Sequence, residues 1–267
     1  MRTRVSALQV AATLMRTRVS ALHAPCMTLR KHFARIPLVR LFAWLFRREG
    51  ARLSRGFLFC LAGVVAFAQL ADEMGEGDTA GFDAFVRDGV HSLNTPLLTQ
   101  LAVFFSFVGD WPFLTVLGVV IFAYLLYIKW KREALIFLIT NAGELVLNVS
   151  LKAFYQRPRP EALVDYALPP SYSFPSGHAL GSFCFLGILA WLMAANVKTT
   201  RGKMLIFCSA ALLILAIGLS RIYLGVHYPS DVVAGYVVGG VWTLTVIFSD
   251  RSMIRNRNKV EAVAGTP

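Results

Sequence analysis

The sequence predicts an all-α integral membrane protein: a six-transmembrane helix bundle with an interfacial helix before the second span. Three observations predict it. Of the 267 residues, 56% are hydrophobic and only 16% charged, with a mean hydropathy of +0.58; soluble domains run near a quarter charged. Apolar runs of span length recur along the chain. The Lys/Arg residues of the connecting segments fall mainly on one side of the predicted spans.

Residues 1–55 hold 12 Lys/Arg against a single acid, Glu49, whereas the remainder holds 15 against 14. The net charge of +12 therefore belongs to a tail. Within it, residues 27–46 interleave basic and bulky apolar side chains, as a helix lying on a membrane surface does. Residues 1–55 are read as a basic, partly amphipathic cytoplasmic tail. Beside a membrane domain its partner is anionic lipid headgroups, not nucleic acid. An Arg-rich, acid-poor leader also fits a transit peptide. The octapeptide MRTRVSAL occurs at 1–8 and again at 15–22, a local duplication that leaves both Met1 and Met15 as candidate starts.

The six-span domain is placed at 56–250. Its spans are expected at about 56–71, 111–129, 134–152, 177–196, 204–222 and 229–249. The second is bracketed by Trp111 and Trp130; about 19 residues at roughly 1.5 Å each cross roughly 29 Å, with a tryptophan at each interface. Residues 95–109 are apolar but too short to span and run into Asp110. They are read as a helix in the outer interface, with a re-entrant turn as the alternative. A cytoplasmic tail, 251–267, follows the last span. Three of the four cysteines, Cys60, Cys184 and Cys208, fall in apolar runs without metal-ligand spacing, and they read as small buried hydrophobes.

Lys129, Lys131, Arg132, Lys198, Arg201, Lys203 and the residues after Arg251 share one side with the basic tail, while Asp72, Glu73, Glu76, Asp78, Asp83 and Asp88 lie on the other. Both termini are thereby cytoplasmic and the protein sits in the inner (plasma) membrane. The loops 152–176 and 221–230 face outward, yet they carry Lys152, Arg157, Arg159 and Arg221. Cations kept on the wrong side call for an anionic ligand.

These cations belong to three segments at the outer ends of predicted spans: Lys152-Ala-Phe-Tyr-Gln-Arg-Pro-Arg159-Pro160, Ser173-Phe-Pro-Ser176-Gly177-His178, and Ser220-Arg221-Ile-Tyr-Leu-Gly-Val-His227-Tyr-Pro-Ser-Asp231. Gathered at one depth, they combine three cations, two histidines, a carboxylate and a glycine-bearing helix N-terminus. Such a terminus offers free N–H groups and a favourable dipole to an anion, and guanidinium forks match phosphate oxygens.

The three segments resemble the signature of the type 2 phosphatidic acid phosphatase superfamily: Lys-x6-Arg-Pro, then Pro-Ser-Gly-His, then Ser-Arg-x5-His-x3-Asp. Every fixed position matches, in order and at the right spacing, over about eighty residues. The resemblance implies His227 as a nucleophile forming phosphohistidine, Asp231 one turn on to hold its tautomer, and His178 as the general acid for the leaving group. It implies Lys152, Arg159 and Arg221 as neutralising the phosphate oxygens, and Ser176 and the Gly177 N–H as completing the cradle. Ser220 and Pro160 would support it. No cofactor and no metal are implied, because coordination would consume the histidines. The activity expected is hydrolysis of a lipid phosphate or diphosphate: undecaprenyl diphosphate, phosphatidic acid, phosphatidylglycerol phosphate or a lipid A phosphate. A lipid or ion transporter using the same basic pocket is the alternative, disfavoured by the lack of an inverted repeat. The soluble vanadate-dependent haloperoxidases share the cradle but not the hydropathy.

Four further readings concern residues around the motifs. Arg157 has no fixed place in the signature and reads as solvated or headgroup-facing. Tyr155, Tyr172 and Tyr223 read as interfacial anchors. Asn141, Glu144, Asn148 and Lys152 share one helix face; a relay beneath Lys152 and an interhelix hydrogen-bond lock are both open, and the lock is favoured. Gly177/Gly181 and Gly235/Gly239 are small-xxx-small pairs expected to pack the fourth and sixth helices against each other, bringing His178 near His227.

Overall fold

The computed structural model describes residues 50–264, apart from 162, 165 and 167. The chain falls into two compact units, Met1–Arg55 and Gly56–Pro267, and the second carries the helices and site described here. The repeated octapeptide, the stretch 27–46 and the tail up to residue 49 lie outside the described residues.

Eight helices are present among the described residues, with no strand: α1 (Gly50–Glu76), α2 (Ala80–His91), α3 (Pro96–Val108), α4 (Trp111–Tyr127), α5 (Lys131–Tyr155), α6 (Gly177–Ala195), α7 (Thr200–Tyr223) and α8 (Pro229–Ala264). Five stretches are long and apolar enough to cross a bilayer: Gly56–Glu76, α5, α6, α7 and Pro229–Arg257. The pair α3 and α4 passes the same test jointly, across a bend of 47°. Large apolar side chains such as Phe57, Val116, Val120, Leu212 and Leu219 stand exposed on the outer faces, which only a hydrocarbon solvent tolerates in such number.

Local chemistry sets the helix starts. Thr95, Asp110, Ser176 and Thr199 occupy N-cap positions, and their side chains accept from the backbone N–H groups of Leu98, Trp111, Ala179 and Gly202. Pro96 and Pro112 sit in the first turns of α3 and α4, where their missing N–H costs nothing. The two caps at 95 and 110 explain why the apolar stretch 95–127 is two helices. α3 runs past the C-terminal end of α7: its start meets the Tyr223 hydroxyl, which Thr95 N approaches at 3.2 Å, and its end packs Gly109 on Ile217. At the opposite end of the bundle Arg132 pairs with Asp250, tying α5 to α8. α8 continues as helix through Ala264, well past the expected end at 249.

α6 is the central helix, packed on α8, α7 and α5. A Cβ on Gly235 would stand 2.7 Å from the Ser176 carbonyl oxygen and 2.8 Å from the Ala179 Cβ, and one on Gly239 would stand 2.9 Å from the Phe183 Cβ. Those two glycines of α8 therefore admit α6 at close range, as expected. Gly177 and Gly181 do otherwise: they face Asn148 and Glu144 of α5. Their spacing let α5, not α8, approach α6.

Replacing Gly235 by Ala should therefore overpack the α6–α8 contact, where backbone cannot yield, at about 1–3 kcal/mol. Gly181→Ala adds a methyl at an ordinary 3.5 Å from the Glu144 carboxyl and should be nearly neutral. Thermal unfolding midpoints of the two variants in detergent check this; equal midpoints would contradict the packing described.

Candidate active site

The C-terminal ends of α5 and α7 and the N-terminal ends of α6 and α8 converge, and each ends or begins on a motif residue. Lys152 lies in the last turn of α5, Gly177 and His178 open α6, Arg221 closes α7, and Asp231 stands in the first turn of α8. His227 occupies the turn between α7 and α8. Lys152, Arg159, Gly177, His178, Arg221 and His227 line one cavity of about 480 Å³.

His227 is 2% exposed and Asp231 wholly buried. The Nδ1 of His227 lies 3.4 Å from Asp231 Oδ2, and its Nε2 lies 3.1 Å from Arg159 Nη1. A guanidinium nitrogen only donates, so Nε2 is the acceptor and the ring proton is assigned to Nδ1, facing Asp231. Burial, reinforced by the neighbouring Arg159 and Lys152 cations and opposed by Asp231, pushes the His227 pKa down to about 3. The imidazole is neutral at physiological pH, with its Nε2 lone pair turned to the cavity wall.

Asp231 is a hub. Oδ2 also accepts from the Tyr228 N–H at 2.9 Å and from the Ser173 hydroxyl, and Oδ1 accepts from Arg157 Nη1 at 2.6 Å. Its backbone carbonyl accepts from Ser176 N at 2.9 Å, joining the starts of α6 and α8. Arg157 is thus neither solvated nor headgroup-facing, contrary to expectation. It lies between two buried carboxylates, since its Nη2 donates to Asp83 Oδ2 at 2.8 Å, and its guanidinium covers the Tyr228 ring at 4.0 Å. Asp83, on α2, also accepts from the Ser230 N–H and hydroxyl. Sequence reasoning counted Asp83 among outer-loop acids; only its separation of 74 residues from Arg157 being closed in space marks it.

The cations are held apart from one another by carbonyls and hydroxyls. Arg159 donates to the Ser171 carbonyl at 2.7 Å, the Val226 carbonyl at 2.8 Å and the Ser171 hydroxyl at 3.0 Å. Burial and the Arg221 charge lower its pKa to about 10, so it stays cationic near neutrality. Lys152 donates to the Tyr172 carbonyl. Arg221, 1% exposed, donates to the Ser106 hydroxyl on α3, stacks at 5.6 Å over Tyr166, and leaves its buried Nε without a partner. His178 Nε2 is also buried without a hydrogen bond, 3.8 Å from Asp110 Oδ1. Asp110 and Ser106 carried no sequence signal beyond a helix boundary.

The remaining expected site residues stand off the cavity wall. Ser176 is fully buried and its hydroxyl caps α6. Ser220 donates to the Ile217 carbonyl of its own helix at 2.6 Å and touches no motif side chain by hydrogen bond. Pro160 is buried. Tyr223 ties α7 to the start of α3 through Asn94 at 2.9 Å and Thr99 at 3.0 Å, and Tyr155 packs on Phe67 and Phe174. Glu144, read as one half of an interhelix lock, makes no hydrogen bond or ion pair among the described residues; it lines the cavity with Asn141 and Asn148.

A family model described as the PAP2 superfamily matches residues 133–253, which include all three segments. That stretch of the chain is a PAP2 superfamily match. Among PAP2 relatives, phosphatidylglycerophosphatase B of Bacillus subtilis is 27% identical over 168 residues, 62% of this chain and 82% of that protein. Decaprenylphosphoryl-5-phosphoribose phosphatase of Mycobacterium tuberculosis is 33% identical over 134 residues, 46% of this chain and 66% of that one. Lipid A 1-phosphatase of Rhizobium johnstonii is 32% identical over 128 residues, 45% of this chain and 48% of that one. The crystal structure of a transmembrane PAP2 type phosphatidylglycerolphosphate phosphatase from Bacillus subtilis superposes with a TM-score of 0.66 at 25% identity, covering 72% of this chain and 96% of the other.

Arg157→Ala would leave Asp83 and Asp231 buried without their shared cation, a loss of about 3–5 kcal/mol. Arg157→Lys, which cannot fork to both carboxylates, should fall between it and the native protein. Chemical or thermal unfolding in detergent checks the order; a stable Arg157→Ala protein would return Arg157 to the surface.

Proposed function

We propose that this protein is a membrane lipid phosphatase that hydrolyses a lipid phosphate or diphosphate through a phosphohistidine on His227. The observation that carries the reading is the neutral His227 Nε2, presented to a cavity whose wall also holds Lys152, Arg159, Arg221 and a second histidine.

The steps follow from the donors present. The substrate phosphate enters among the three cations, and Arg159 Nη1 passes from Nε2 to a phosphate oxygen. Nε2 attacks phosphorus as the bond to the lipid oxygen breaks. The proton on Nδ1 faces Asp231, which stabilises the charge growing on the ring. His178, protonated once the bound phosphate anion offsets the surrounding cations, gives its proton to the leaving oxygen. It then takes one from water, which attacks the phosphohistidine and releases inorganic phosphate. Lys152, Arg159 and Arg221 bind the charge that builds on the equatorial oxygens, where a dry cavity makes each worth more than in water. The Gly177 N–H, at the start of α6, adds the helix dipole.

The mechanism is read as metal-independent. Among the described residues no three His, Cys, Asp or Glu side chains gather as a metal site requires, and three cations oppose a divalent ion by roughly 4 kcal/mol per unit-charge pair at 4 Å and an effective dielectric near 20. The bundle is read as six spans, with α4 as the second and α3 lying obliquely in the outer interface. Both termini are placed in the cytoplasm and the site outside, because the basic connections α4–α5 and α6–α7 lie at the end remote from the cavity. The tail 1–55 is assigned to the cytoplasmic lipid surface.

With a radiolabelled lipid phosphate, a rapid acid-free quench should trap label on the native protein, stable in base and lost in acid. His227→Ala should trap none and His178→Ala should lower turnover at least 1000-fold; Asp231→Asn should retain some. Excess EDTA should leave the rate unchanged. Turnover by His227→Ala within tenfold of native, or metal-restored activity after EDTA, would refute the mechanism. Because His227 stays neutral down to about pH 3, its protonation does not set the acid limb of kcat/KM.

For the topology, a cysteine replacing the exposed Glu161, in a background free of native cysteines, should react with an impermeant thiol reagent in intact cells or spheroplasts. Labelling only after lysis would invert the orientation.

A further inference from the structure

The cavity does not end at the phosphate cradle. It continues between α4 and α5, along the face of α5 that carries Lys152, Asn148, Glu144 and Asn141. At about 1.5 Å per residue, Asn148 lies roughly 6 Å and Glu144 roughly 12 Å below Lys152 toward the membrane centre. The opposite wall, from Trp111 and Leu114 down to Phe122, is apolar apart from Thr115. One wall of an otherwise hydrocarbon-lined cleft is therefore polar over its first two turns.

Most of that polarity has no partner among the described residues. Glu144 makes no hydrogen bond or ion pair among the described residues, and a Cβ added at Gly181 would meet its carboxyl at ordinary contact distance. Asn148 packs on Gly177, and its Oδ1 is buried without a hydrogen bond. Only Asn141 is engaged, donating to the Phe137 carbonyl of its own helix. A carboxyl and an amide at bilayer depth are costly unless something else supplies donors and acceptors. A lipid phosphate seated in the cradle would bring its first few bonds into this stretch.

Resting on the lipid phosphatase reading, we propose that the substrate is an acylated polyol phosphate, with ester or amide carbonyls and hydroxyls directly beneath the phosphate; the protonated Glu144 carboxyl and the Asn148 Nδ2 hydrogens donate to its carbonyls, and Asn148 Oδ1 accepts from a hydroxyl or amide N–H. An acylglycerol phosphate and an acylated aminosugar 1-phosphate both carry this chemistry. A polyprenyl phosphate does not: its hydrocarbon begins at the phosphate ester oxygen and leaves Glu144 and Asn148 facing CH₂ groups. A site built to hydrogen-bond a substrate rejects the analogue lacking those groups because its own polar atoms are then stranded. The apolar remainder of the cleft, down to Phe122, takes the upper acyl chain.

The test compares kcat/KM of the purified full-length protein in mixed micelles on diacylglycerol phosphate, an N-acylated glucosamine 1-phosphate lipid, the dialkyl ether analogue of the first, and a polyprenyl phosphate. At least one acylated substrate should exceed the polyprenyl phosphate tenfold or more, and which one does separates the two sources. The ether analogue, which lacks carbonyls, should fall at least fivefold below its diacyl counterpart without any change to the protein. Glu144→Leu should narrow the preference for the acylated substrate to under threefold, and Glu144→Gln should keep most of it. Equal or better turnover of the polyprenyl phosphate, equal rates on diacyl and dialkyl lipids, or a parallel loss on all substrates in Glu144→Leu would each overturn the assignment while leaving a lipid phosphatase in place. Phosphate release from none of the four would instead overturn the phosphatase reading on which the assignment rests.

Discussion

Everything at the cavity end of this bundle depends on where one buried carboxylate is held. Asp231 receives the His227 ring, the Ser173 hydroxyl, the Tyr228 N–H and the Arg157 guanidinium, and its backbone carbonyl takes the Ser176 N–H. An anion in that position is stable only while all these donors are present. They come from the α5–α6 loop, the α7–α8 turn and the first residue before α6, so the satisfied carboxylate and the assembled site are one condition. The chain of contacts extends further, because Arg157 needs Asp83, and Asp83 needs the Ser230 N–H. The short helix α2 is thus joined to the catalytic end without touching the cavity.

This arrangement separates two jobs that cations perform. Arg157 is consumed by structure: it neutralises Asp83 and Asp231 and faces no cavity. Lys152, Arg159 and Arg221 make hydrogen bonds to neutral carbonyls and hydroxyls, and each keeps its full charge for an anion. The second group concentrates positive potential in a low-dielectric cleft, and that potential adds to burial, the larger cause, in making His227 hard to protonate. The same field that attracts phosphate keeps the His227 imidazole neutral, with its Nε2 lone pair accepting from Arg159.

The fold serves this by letting α6 approach both α8 and α5 closely. Gly235 and Gly239 set the first contact and Gly177 and Gly181 the second. The first contact brings Ser176 to Asp231 and the start of α6 to the His227 turn. The second leaves room against α5 for Asn148 and Glu144, and so shapes the polar wall that runs inward from the cradle. A cleft open between α4 and α5 from the phosphate level into the bilayer interior suits a substrate that remains in the membrane while its headgroup reacts.

The sequence by itself determined the helical membrane class, most of the helix starts and six of the residues on the cavity wall. These depend on local signals: apolar runs of bilayer length, Ser, Thr and Asp caps, and motif residues at helix ends, where chain direction alone sets their depth. Tertiary structure decided what depends on partners far along the chain. Arg157 resembles any loop arginine until Asp83, on a helix that precedes it by some seventy residues, closes on it. Glu144 fits an interhelix lock by its spacing, yet no neighbouring helix supplies a partner, and it opens on the cavity. Ser220 and Ser176 carry the same hydroxyl as Ser173, but the first two spend it on helix backbone and only Ser173 turns to Asp231. The glycine pairs announce close packing without naming the neighbour, because a missing side chain is equally permissive to any helix. Periodicity records which face of a helix is polar, and only the assembled bundle settles what that polarity meets.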